Sequence, residues 1–318
     1  MNMGVLLEII LLIAGFVLLI KGADVFVDAS VGIAKRLKIP NVVIGLTIVA
    51  MGTSMPEMVV SISAAINGSN AMAVGNAIGS NIFNLLPILG FCALIMPVPI
   101  RLKEIARDYW ISVGAAGLLL IMVIVFRNRI PRMGSFAFFA AFIVYMVILV
   151  RQALKNRDTE EETAESVGNP KSLLRSVCLA VLGAGLIVGG GQLTVTNAVS
   201  IAIALGITER VVGLTIVAIG TSLPEFVTSL VACKKGENAI AIGNVIGSNI
   251  FNIMLVLGIS GIIRPLTIDG NLIIDIAVLI IGSFAVLPLA FRSKRVVRLE
   301  GLLMVLMYAA YMGFIIIW

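Results

Sequence analysis

Two short segments place polar and acidic residues inside otherwise apolar stretches of the chain. The first is MGTSMPEMVV, from Met51 to Val60, and the second is IGTSLPEFVT, from Ile219 to Thr228. Each contains a proline, which has no amide hydrogen and leaves a helical carbonyl group without its usual donor. Carbonyl, hydroxyl and carboxylate oxygens are the ligands that hard cations such as Ca²⁺ and Na⁺ prefer.

The spacing of the polar residues predicts that they share helical faces, because positions four residues apart lie on one side of an α-helix. The faces expected to carry the chemistry are Thr53, Glu57 and Ser61; Asn76, Ser80 and Asn84; Thr221, Glu225 and Ser229; and Asn244, Ser248 and Asn252. The carbonyl groups near Ala50 and Ala218 are expected to be freed by the prolines. The chain has no histidine, and neither motif has a cysteine, so the pattern favours a hard cation over a transition metal.

Any single serine, threonine or asparagine in such a segment is readily explained by a hydrogen bond between neighbouring helices. The two glutamates are different. An acid at the bilayer centre costs roughly 2.5–3.5 kcal/mol on insertion scales, and packing alone does not account for two of them at equivalent positions. We therefore expect Glu57 and Glu225 to be functional.

The elements that must position these residues are membrane helices. Hydrophobic residues make up 60% of the 318, mean hydropathy is +1.12, and apolar runs of about 20 residues follow one another. Ten spans are predicted, roughly at 4–34, 42–66, 71–96, 108–126, 134–150, 173–205, 211–232, 238–263, 271–291 and 300–317. The predicted fold is an all-α polytopic membrane protein.

The chain is a duplicated unit. Residues 44–90 align with 212–258 without a gap, and well over half of the aligned positions are identical. Equivalent loops carry opposite charge character: the basic KRLK at 35–38 aligns with IALG, and the neutral NGSN at 67–70 aligns with KKGE. Because Lys and Arg concentrate on the cytoplasmic side, the two halves are expected to be inverted relative to each other.

The predicted domains are a five-helix repeat over 1–152, a polar cytoplasmic linker over 153–171 and an inverted five-helix repeat over 172–318. With both termini outside, about 17 Lys and Arg fall in inner loops and about 5 in outer ones. Six helices per half would make the repeats parallel, which the charge pattern disfavours. Lys21 and Asp24, three positions apart, are interpreted as an ion pair near the interface, with a structural or access-related role.

Composition also argues against several other functions. The formal charge of +6 comes from Lys and Arg in the loops, where they set topology, so no nucleic-acid partner is expected. Cys92, Cys178 and Cys233 are scattered in apolar context and are expected to be small buried hydrophobes rather than a disulfide or metal framework. The expected partners are the lipid bilayer and the ions, with a monomer as the expected state and no cofactor.

The motifs GTSMPE and GTSLPE, with GNAIGSNIFN and GNVIGSNIFN, resemble the two α-repeats of sodium/calcium exchangers in the cation/calcium exchanger superfamily. The resemblance covers both repeats and the predicted ten-helix layout. It implies two inverted five-helix halves, in which the second, third, seventh and eighth helices form a compact core. The first and sixth helices would slide across this core to alternate access.

The resemblance also implies roles for individual residues. A central Ca²⁺ site would use Glu57, Glu225, Thr53 and Thr221. Flanking Na⁺ sites would add, on one side, Ser80 with the Ala50 carbonyl and, on the other, Ser248 with the Ala218 carbonyl. Asn84 and Asn252 would line the middle, with Ser54 and Ser222 as neighbours. Both middle positions are amides, as in K⁺-independent animal exchangers. Pro87 is aligned with Leu255 in the second repeat, a difference without an evident reason.

The predicted function is that of a secondary antiporter, not an enzyme, which exchanges Na⁺ for Ca²⁺ across the inner or plasma membrane. Proton-coupled exchange of Ca²⁺ or another divalent cation is the alternative, with the proton carried by the same glutamates. A cation channel would conduct without a counter-ion and would normally gather its oxygens around an oligomeric axis. An intramembrane hydrolase is disfavoured, because the chain has no H-E-x-x-H or G-x-S-x-G motif.

Overall fold

The computed structural model describes residues 3–155, 172–206, 216, 218–268 and 270–317. Helices of the first half are α1 (Met3–Leu37), α2 (Asn41–Ile44), α3 (Ala50–Thr53), α4 (Met55–Ile66), α5 (Asn70–Phe83), α6 (Leu89–Ile95), α7 (Leu102–Val125) and α8 (Arg132–Lys155). Helices of the second half are α9 (Leu173–Ala204), α10 (Ala218–Gly220), α11 (Leu223–Lys234), α12 (Asn238–Ile250), α13 (Leu257–Ile263), α14 (Gly270–Ser293) and α15 (Arg298–Ile317). Short strands β1 (Val98–Pro99), β2 (Arg129–Ile130), β3 (Leu266–Thr267) and β4 (Arg295–Val296) lie in the connections.

Seven helical segments in the described part of the chain are long and apolar enough to cross a membrane. They are Val5–Leu37, Asn70–Ile95, Lys103–Val125, Arg132–Lys155, Leu173–Ala204, Asn238–Ile263 and Arg298–Ile315. An eighth span results if the bent pair Asn41–Thr53 and Met55–Ile66 is counted as one, and a shorter apolar helix covers Leu272–Pro288. The start of the predicted seventh span, at 211–215, lies outside the described residues. Residues 156–171 of the predicted linker also lie outside them. By length and composition, the many-span helical architecture is as expected.

Two of these spans form the centre of the protein. In their most apolar stretches, 78% of the residues of Asn70–Ile95 and 83% of those of Asn238–Ile263 are buried, against 17% for Val5–Leu37. Both central spans contain a wider, π-helical turn, at Asn84–Ile88 and at Phe251–Val256. Pro87 lies inside the first of these turns, and its repeat partner Leu255 lies inside the second. The π-helical turn therefore does not depend on the proline.

Glycines allow the central helices to approach one another closely. A Cβ atom on Gly243 of α12 would lie 2.6 Å from the carbonyl oxygen of Val42, and one on Gly45 would lie 2.6 Å from that of Ile240. No side chain fits between these backbones, as expected for a G-x-x-x-G pair in a membrane protein. This contact seats α12 against the first part of the broken second span, which leads directly into the GTSMPE motif.

The long helices α1 and α9 cross the outside of this core as an antiparallel pair. They approach each other closely at Gly190 of α9, where a Cβ atom would lie 2.6 Å from the amide nitrogen of Leu19 and 2.8 Å from the carbonyl oxygen of Gly15. On the other side of α1, large apolar side chains such as Leu7, Ile10 and Ile13 are exposed. Such a face suits lipid contact, so the two helices lie between the core and the bilayer.

Both proline motifs break their helices just before the proline. In the first copy α3 ends at Thr53 and α4 begins at Met55, and the segments Asn41–Thr53 and Met55–Ile66 are bent by 51°. Ser54 between them has φ −82° and ψ 7°, and Ser222 in the second copy has φ −90° and ψ 4°. Proline is well suited to the first turn of a helix, where its missing amide hydrogen has no partner to lose. Each motif therefore ends one helix and starts another inside the apolar region.

The short strands pair across the two halves. Strand β1 pairs antiparallel with β4, and β2 pairs antiparallel with β3. By the sequence repeat, β1 corresponds to β3, because residues 98–99 and 266–267 occupy equivalent positions. Helix α7 separates β1 from β2, and β2 holds β3 at its own end of α7. The equivalent loops of the two halves therefore lie at opposite ends of α7.

The Lys21–Asp24 ion pair expected from spacing is wrong. The Oδ1 atom of Asp24 lies 2.8 Å from Nζ of Lys235, in the loop after α11, and Asp28 Oδ1 lies 2.6 Å from the same ammonium group. Desolvation lowers the pKa of Lys235, but the hydrogen bonds and the negative charges of Asp24 and Asp28 together raise it by more, so the pKa lies above the ordinary lysine value. The lysine that lies three residues away in sequence is not the partner, because the folded chain brings a different one to α1.

The expectation for the cysteines is correct for two of the three. Cys92 and Cys233 are buried, whereas Cys178 is exposed. It lies on α9 beside the exposed side chains of Leu174, Val177 and Val181, on a face suited to lipid. The apolar context around Cys178 therefore indicated contact with the membrane and not burial inside the protein.

Candidate ion-binding site

Each helix that begins at a proline motif, α4 and α11, has one glutamate in its first turn. Glu57 lies in the first turn of α4 and Glu225 in the first turn of α11, and both side chains are completely buried. The first amide groups of a helix have no intrahelical acceptor, and the helix dipole stabilises negative charge there. The break before each proline thus creates a favourable place for a carboxylate within an apolar core.

Each glutamate is hydrogen-bonded to the serine that precedes the other glutamate by three residues. Ser222 Oγ donates to Glu57 Oε1 at 3.0 Å, and Ser54 Oγ donates to Glu225 Oε1 at 2.7 Å. The resemblance placed these serines only as neighbours of the site. In the structure they tie each half to the carboxylate of the other half, and all four side chains are buried.

Ser80 and Ser248, which belong to the GSN triplets at 79–81 and 247–249, complete these contacts. Ser248 Oγ lies 3.0 Å from Ser54 Oγ, and Ser80 Oγ lies 3.0 Å from Ser222 Oγ. A hydroxyl group has one hydrogen to donate and two lone pairs. When Ser54 and Ser222 donate to the carboxylates, they accept hydrogen bonds from Ser248 and Ser80. The result is one chain of hydroxyl groups leading to each glutamate.

The two threonines are held by asparagines from the opposite half. Thr53 Oγ1 lies 3.1 Å from Asn244 Oδ1 and 3.0 Å from the Val49 carbonyl oxygen, and Thr221 Oγ1 lies 3.3 Å from Asn76 Oδ1. All of these partners are acceptors, so each threonine uses its hydrogen in the protein. The lone pairs of both hydroxyl oxygens remain available to a cation.

Ser61 and Ser229 do not join the cluster around the glutamates. Asn76 Nδ2 donates to Ser61 Oγ at 2.9 Å, and Asn244 Nδ2 donates to Ser229 Oγ at 3.0 Å. The same amide groups reach the backbone carbonyl oxygens of Glu57 and Glu225, at 3.1 Å and 3.4 Å. The two serines therefore help to orient the asparagines that hold the threonines.

Four side-chain oxygens in this cluster are buried and accept no hydrogen bond. They are Glu57 Oε2, Glu225 Oε2, Asn84 Oδ1 and Asn252 Oδ1. A buried acceptor without a donor costs about 1–3 kcal/mol, and more when it is charged. Two equivalent pairs of such atoms, contributed by both halves, have the oxygen chemistry that Ca²⁺ and Na⁺ require. Among the described residues no three His, Cys, Asp or Glu side chains cluster, so neutral oxygens must complete any ligand set.

The Ala50 carbonyl group is not freed in the way its proline suggested. It accepts a hydrogen bond of 3.0 Å from the amide group of Ser54, and Thr53 Oγ1 lies 3.4 Å away, so its second lone pair is free for a cation only when Thr53 donates to another acceptor. In the second copy the amide group of Ser222 instead bonds the Ile219 carbonyl oxygen at 3.1 Å. The turn before the second proline is therefore tighter, and the Ser222 amide does not reach the Ala218 carbonyl group.

Two asparagines that spacing did not single out lie in the middle of the cluster. Asn81 and Asn249, the asparagines of the two GSN triplets, are buried and bond the amide groups of Asn252 and Asn84 across the interface between the halves. They fall outside the four-residue spacing used to choose candidates. Their presence in both copies of the repeat was the one signal in the sequence that could have identified them.

The site is more open on one side than on the other. Thr53 and Asn244 are buried, whereas the equivalent pair Thr221 and Asn76 is only half-buried. Asn76 lies in the middle of α5, and within the span Asn70–Ile95 it is nearer the start than the end. The two halves thus have matching residues but differ in access, and the more open side is the one at the start of α5.

Taken together, the fold and the site define a helical membrane protein with a buried, oxygen-rich cluster built from two copies of one motif. The family model described as sodium/calcium exchanger protein matches residues 7–151 and 175–317. The chain therefore belongs to the sodium/calcium exchanger family, whose members are transporters rather than enzymes.

Individual relatives agree with this assignment. The sodium/calcium exchanger MaX1 of Methanosarcina acetivorans is 32% identical, over 95% of this chain and 97% of its own. The inner membrane protein YrbG of Escherichia coli is 38% identical, over 83% of this chain and 82% of its own. A solved structure of the sodium-calcium exchanger NCX_Mj, soaked with Na⁺ and Sr²⁺, has a TM-score of 0.84 at 31% identity and covers 97% of this chain and 99% of that one.

Proposed function

We propose that this chain exchanges Na⁺ for Ca²⁺ across the cell membrane by alternating access. The observation that carries the proposal is the set of four buried oxygens without donors, Glu57 Oε2, Glu225 Oε2, Asn84 Oδ1 and Asn252 Oδ1. Membership of the sodium/calcium exchanger family supports the same ions as substrates. The names of MaX1 and NCX_Mj state sodium/calcium exchange for those two proteins.

The proposed ligands follow from the oxygens that keep unused lone pairs. Ca²⁺ binds between Glu57 and Glu225, with the hydroxyl oxygens of Thr53 and Thr221 beside them. Na⁺ ions occupy positions that overlap the Ca²⁺ site. On one side they bind Ser80 and the Ala50 carbonyl, and on the other they bind Ser248 and the Ala218 carbonyl. Asn84 and Asn252 line the middle. Two carboxylates balance one Ca²⁺ but leave three Na⁺ with an excess of about one charge. Both loads need the same carboxylates, so they cannot bind together, which makes exchange obligatory.

The proposed architecture is ten helices in two inverted halves, 1–152 and 172–318, joined by a cytoplasmic linker over 153–171. The position of equivalent loops at opposite ends of α7 supports the inversion. Lys and Arg are concentrated at the end of α7 that bears β1, in the loops at 35–38, 101–107 and 292–298. On the rule that basic loops stay in the cytoplasm, that end faces inward and both termini lie outside.

In this orientation the half-buried pair Thr221 and Asn76 lies toward the outside, and the buried pair Thr53 and Asn244 lies toward the cytoplasm. The difference in burial supports a state in which ions reach the site from outside. To open the other side, α1 and α9 would move together across the core. Their close glycine contact at Gly190 favours movement as one unit.

The deciding experiment is ⁴⁵Ca²⁺ uptake into proteoliposomes preloaded with Na⁺, with K⁺-loaded and acid-loaded vesicles as controls. We expect ⁴⁵Ca²⁺ uptake only into Na⁺-loaded vesicles. The uptake rate should increase when the membrane potential is set to favour the net charge movement of three Na⁺ per Ca²⁺. Uptake driven by a pH gradient without Na⁺ would make protons the counter-ion. Ca²⁺ uptake that needs no counter-ion inside the vesicles would indicate a channel and refute exchange.

A further inference from the structure

Asn81 and Asn249 bond the side chains of Asn252 and Asn84 but are not among the proposed ligands. We propose that they are positioning residues, which hold the amide groups of Asn252 and Asn84 with their oxygens toward the transported cation. The inference rests on the proposed function, because it assigns these residues a role at the same site. The positioning role adds to that function a reason why two neutral amides direct oxygens, and not NH₂ groups, toward a cation.

The backbone determines how the first pair of amides is oriented. Asn81 Nδ2 donates to the backbone carbonyl oxygen of Asn249 at 3.1 Å, and Asn249 Nδ2 donates to that of Asn81 at 3.3 Å. A backbone carbonyl oxygen can only accept a hydrogen bond. Each of these side chains must therefore direct its NH₂ group toward the backbone of the other helix and its oxygen in the opposite direction.

That orientation is passed on to the second pair. Asn252 Nδ2 donates to Asn81 Oδ1 at 3.0 Å, and Asn84 Nδ2 donates to Asn249 Oδ1 at 3.1 Å. Because the NH₂ groups of Asn252 and Asn84 are engaged in this way, their Oδ1 atoms must point away from Asn81 and Asn249. Those are two of the four buried oxygens without a donor. We call the four asparagines 81, 84, 249 and 252 the amide relay.

The direction of an amide matters next to a cation. Its oxygen attracts a cation and its NH₂ group repels one, and the two ends have nearly the same shape. Without Asn81, nothing in the relay stops the amide of Asn252 from turning its NH₂ group toward the ion. Residues that orient metal ligands typically contribute 10–100-fold to metal affinity, so we expect a loss of that size.

A second explanation is that Asn81 and Asn249 only hold the two halves together. The two roles use different atoms of the same side chain, so they can be separated. Asn81→Leu has a similar shape but removes both the donor and the acceptor. Asn81→Asp removes the donor to the Asn249 backbone but keeps an oxygen to accept from Asn252 Nδ2. Asn70→Leu is the control, because Asn70 Nδ2 bonds Thr267 Oγ1 at 3.0 Å, which links the halves outside the site.

The experiment measures equilibrium ⁴⁵Ca²⁺ binding and the thermal midpoint of each purified full-length variant in detergent. We expect Asn81→Leu to weaken Ca²⁺ binding by about 10–100-fold and Asn81→Asp to bind at least as tightly as the wild type. Both variants should lower the thermal midpoint, and Asn70→Leu should bind Ca²⁺ like the wild type. If Asn81→Leu is not recovered folded, the pair Asn249→Leu and Asn249→Asp makes the same comparison through Asn84.

Equal weakening by the Leu and Asp variants, or unchanged binding by the Leu variant, would overturn the relay. The assay needs no ion gradient, so it is independent of the transport experiment. A wild-type protein that binds Ca²⁺ but fails to couple it to Na⁺ would refute Na⁺/Ca²⁺ exchange and leave the relay to be judged by its own variants. A wild-type protein that binds no Ca²⁺ would refute both.

Discussion

Replacing Glu57 with glutamine tests the central claim of the proposed mechanism. Gln keeps the shape of the side chain and an oxygen that can accept from Ser222, but it removes the negative charge. Glu57 is completely buried, and its Oε2 atom has no donor in the protein. Its partners in the protein are the Ser222 hydroxyl group and the start of α4, and neither carries a full positive charge, so the substitution acts mainly on cation binding.

The size of the effect follows from the charge removed. A carboxylate about 2.5 Å from a divalent cation, in an effective dielectric constant of about 20, contributes roughly 13 kcal/mol of attraction, and about half of that for a monovalent ion. Loss of the cation's hydration offsets most of this attraction. If only a quarter remains as net binding energy, about 3 kcal/mol, removing it weakens Ca²⁺ binding by more than about 100-fold. The loss for each Na⁺ should be smaller.

The assay is ⁴⁵Ca²⁺ uptake into Na⁺-loaded proteoliposomes, together with equilibrium binding of Ca²⁺ and Na⁺. The matched control is Glu104→Gln, since Glu104 is 37% exposed and pairs with Arg101 at the surface. We expect no measurable uptake by the Glu57 variant, normal uptake by the control, and the same loss for Glu225→Gln. A Glu57→Gln protein that binds Ca²⁺ within about threefold of the wild type would contradict the assignment of the carboxylates.

Three further substitutions test other parts of the structure. Gly190→Ala places a methyl group 2.6 Å from the α1 backbone and should lower the thermal stability by about 1–3 kcal/mol, with slower uptake. Lys235→Met removes the partly exposed ion pairs to α1 and should cost less than about 1 kcal/mol, an effect that disappears in high salt. Because the folded pKa of Lys235 is raised, this contribution is complete below the ordinary lysine pKa and is lost as the pH rises through the folded value. Thr53→Val removes a proposed Ca²⁺ ligand and should raise the KM for Ca²⁺ by about tenfold, which corresponds to about 1.4 kcal/mol of binding energy, while the loss of the donor to Asn244 Oδ1 should lower stability by about 1–3 kcal/mol.

Each of these has a control on the same element or in an equivalent environment. Gly189→Ala changes the exposed face of α9 next to Gly190 and should leave stability and uptake unchanged. Wild type and Lys235→Met should become equally stable in high salt, and a difference that persists there would point to packing rather than charge. Thr228→Val should be neutral or stabilising, since the buried Thr228 hydroxyl has no partner; an effect as large as that of Thr53→Val would contradict the role of the Thr53 hydroxyl.

Much of the site could be predicted from the sequence, because the repeat and the prolines are local signals. An acid beside a proline in an apolar segment is rare enough to draw attention at Glu57, and its recurrence at Glu225 made the functional interpretation specific. The helix breaks before Pro56 and Pro224 follow from the missing amide hydrogen alone. The burial of both glutamates agrees with their expected position in the protein interior.

The partners of these residues could not be predicted in the same way. Spacing placed Ser61 on the face of Glu57, one turn further along α4, but its hydroxyl group is engaged by α5, where it accepts from Asn76 and donates to the Ala73 carbonyl oxygen. Spacing also paired Lys21 with Asp24, whose partner is Lys235. In both cases the periodicity of one helix was used to infer a contact that another part of the chain provides.

The sequence by itself determined which side chains carry charge and oxygen, that they occur in two copies, and where the helices must break. Those properties depend on residue type and on neighbours along the chain. Only the tertiary structure decided that Ser54 donates to Glu225 and Ser222 to Glu57, and that Asn81 and Asn249 orient the amides beside them. These contacts join residues 165 to 171 positions apart. They exist because two helix backbones cross closely enough for side chains from opposite halves to meet, which no local pattern specifies.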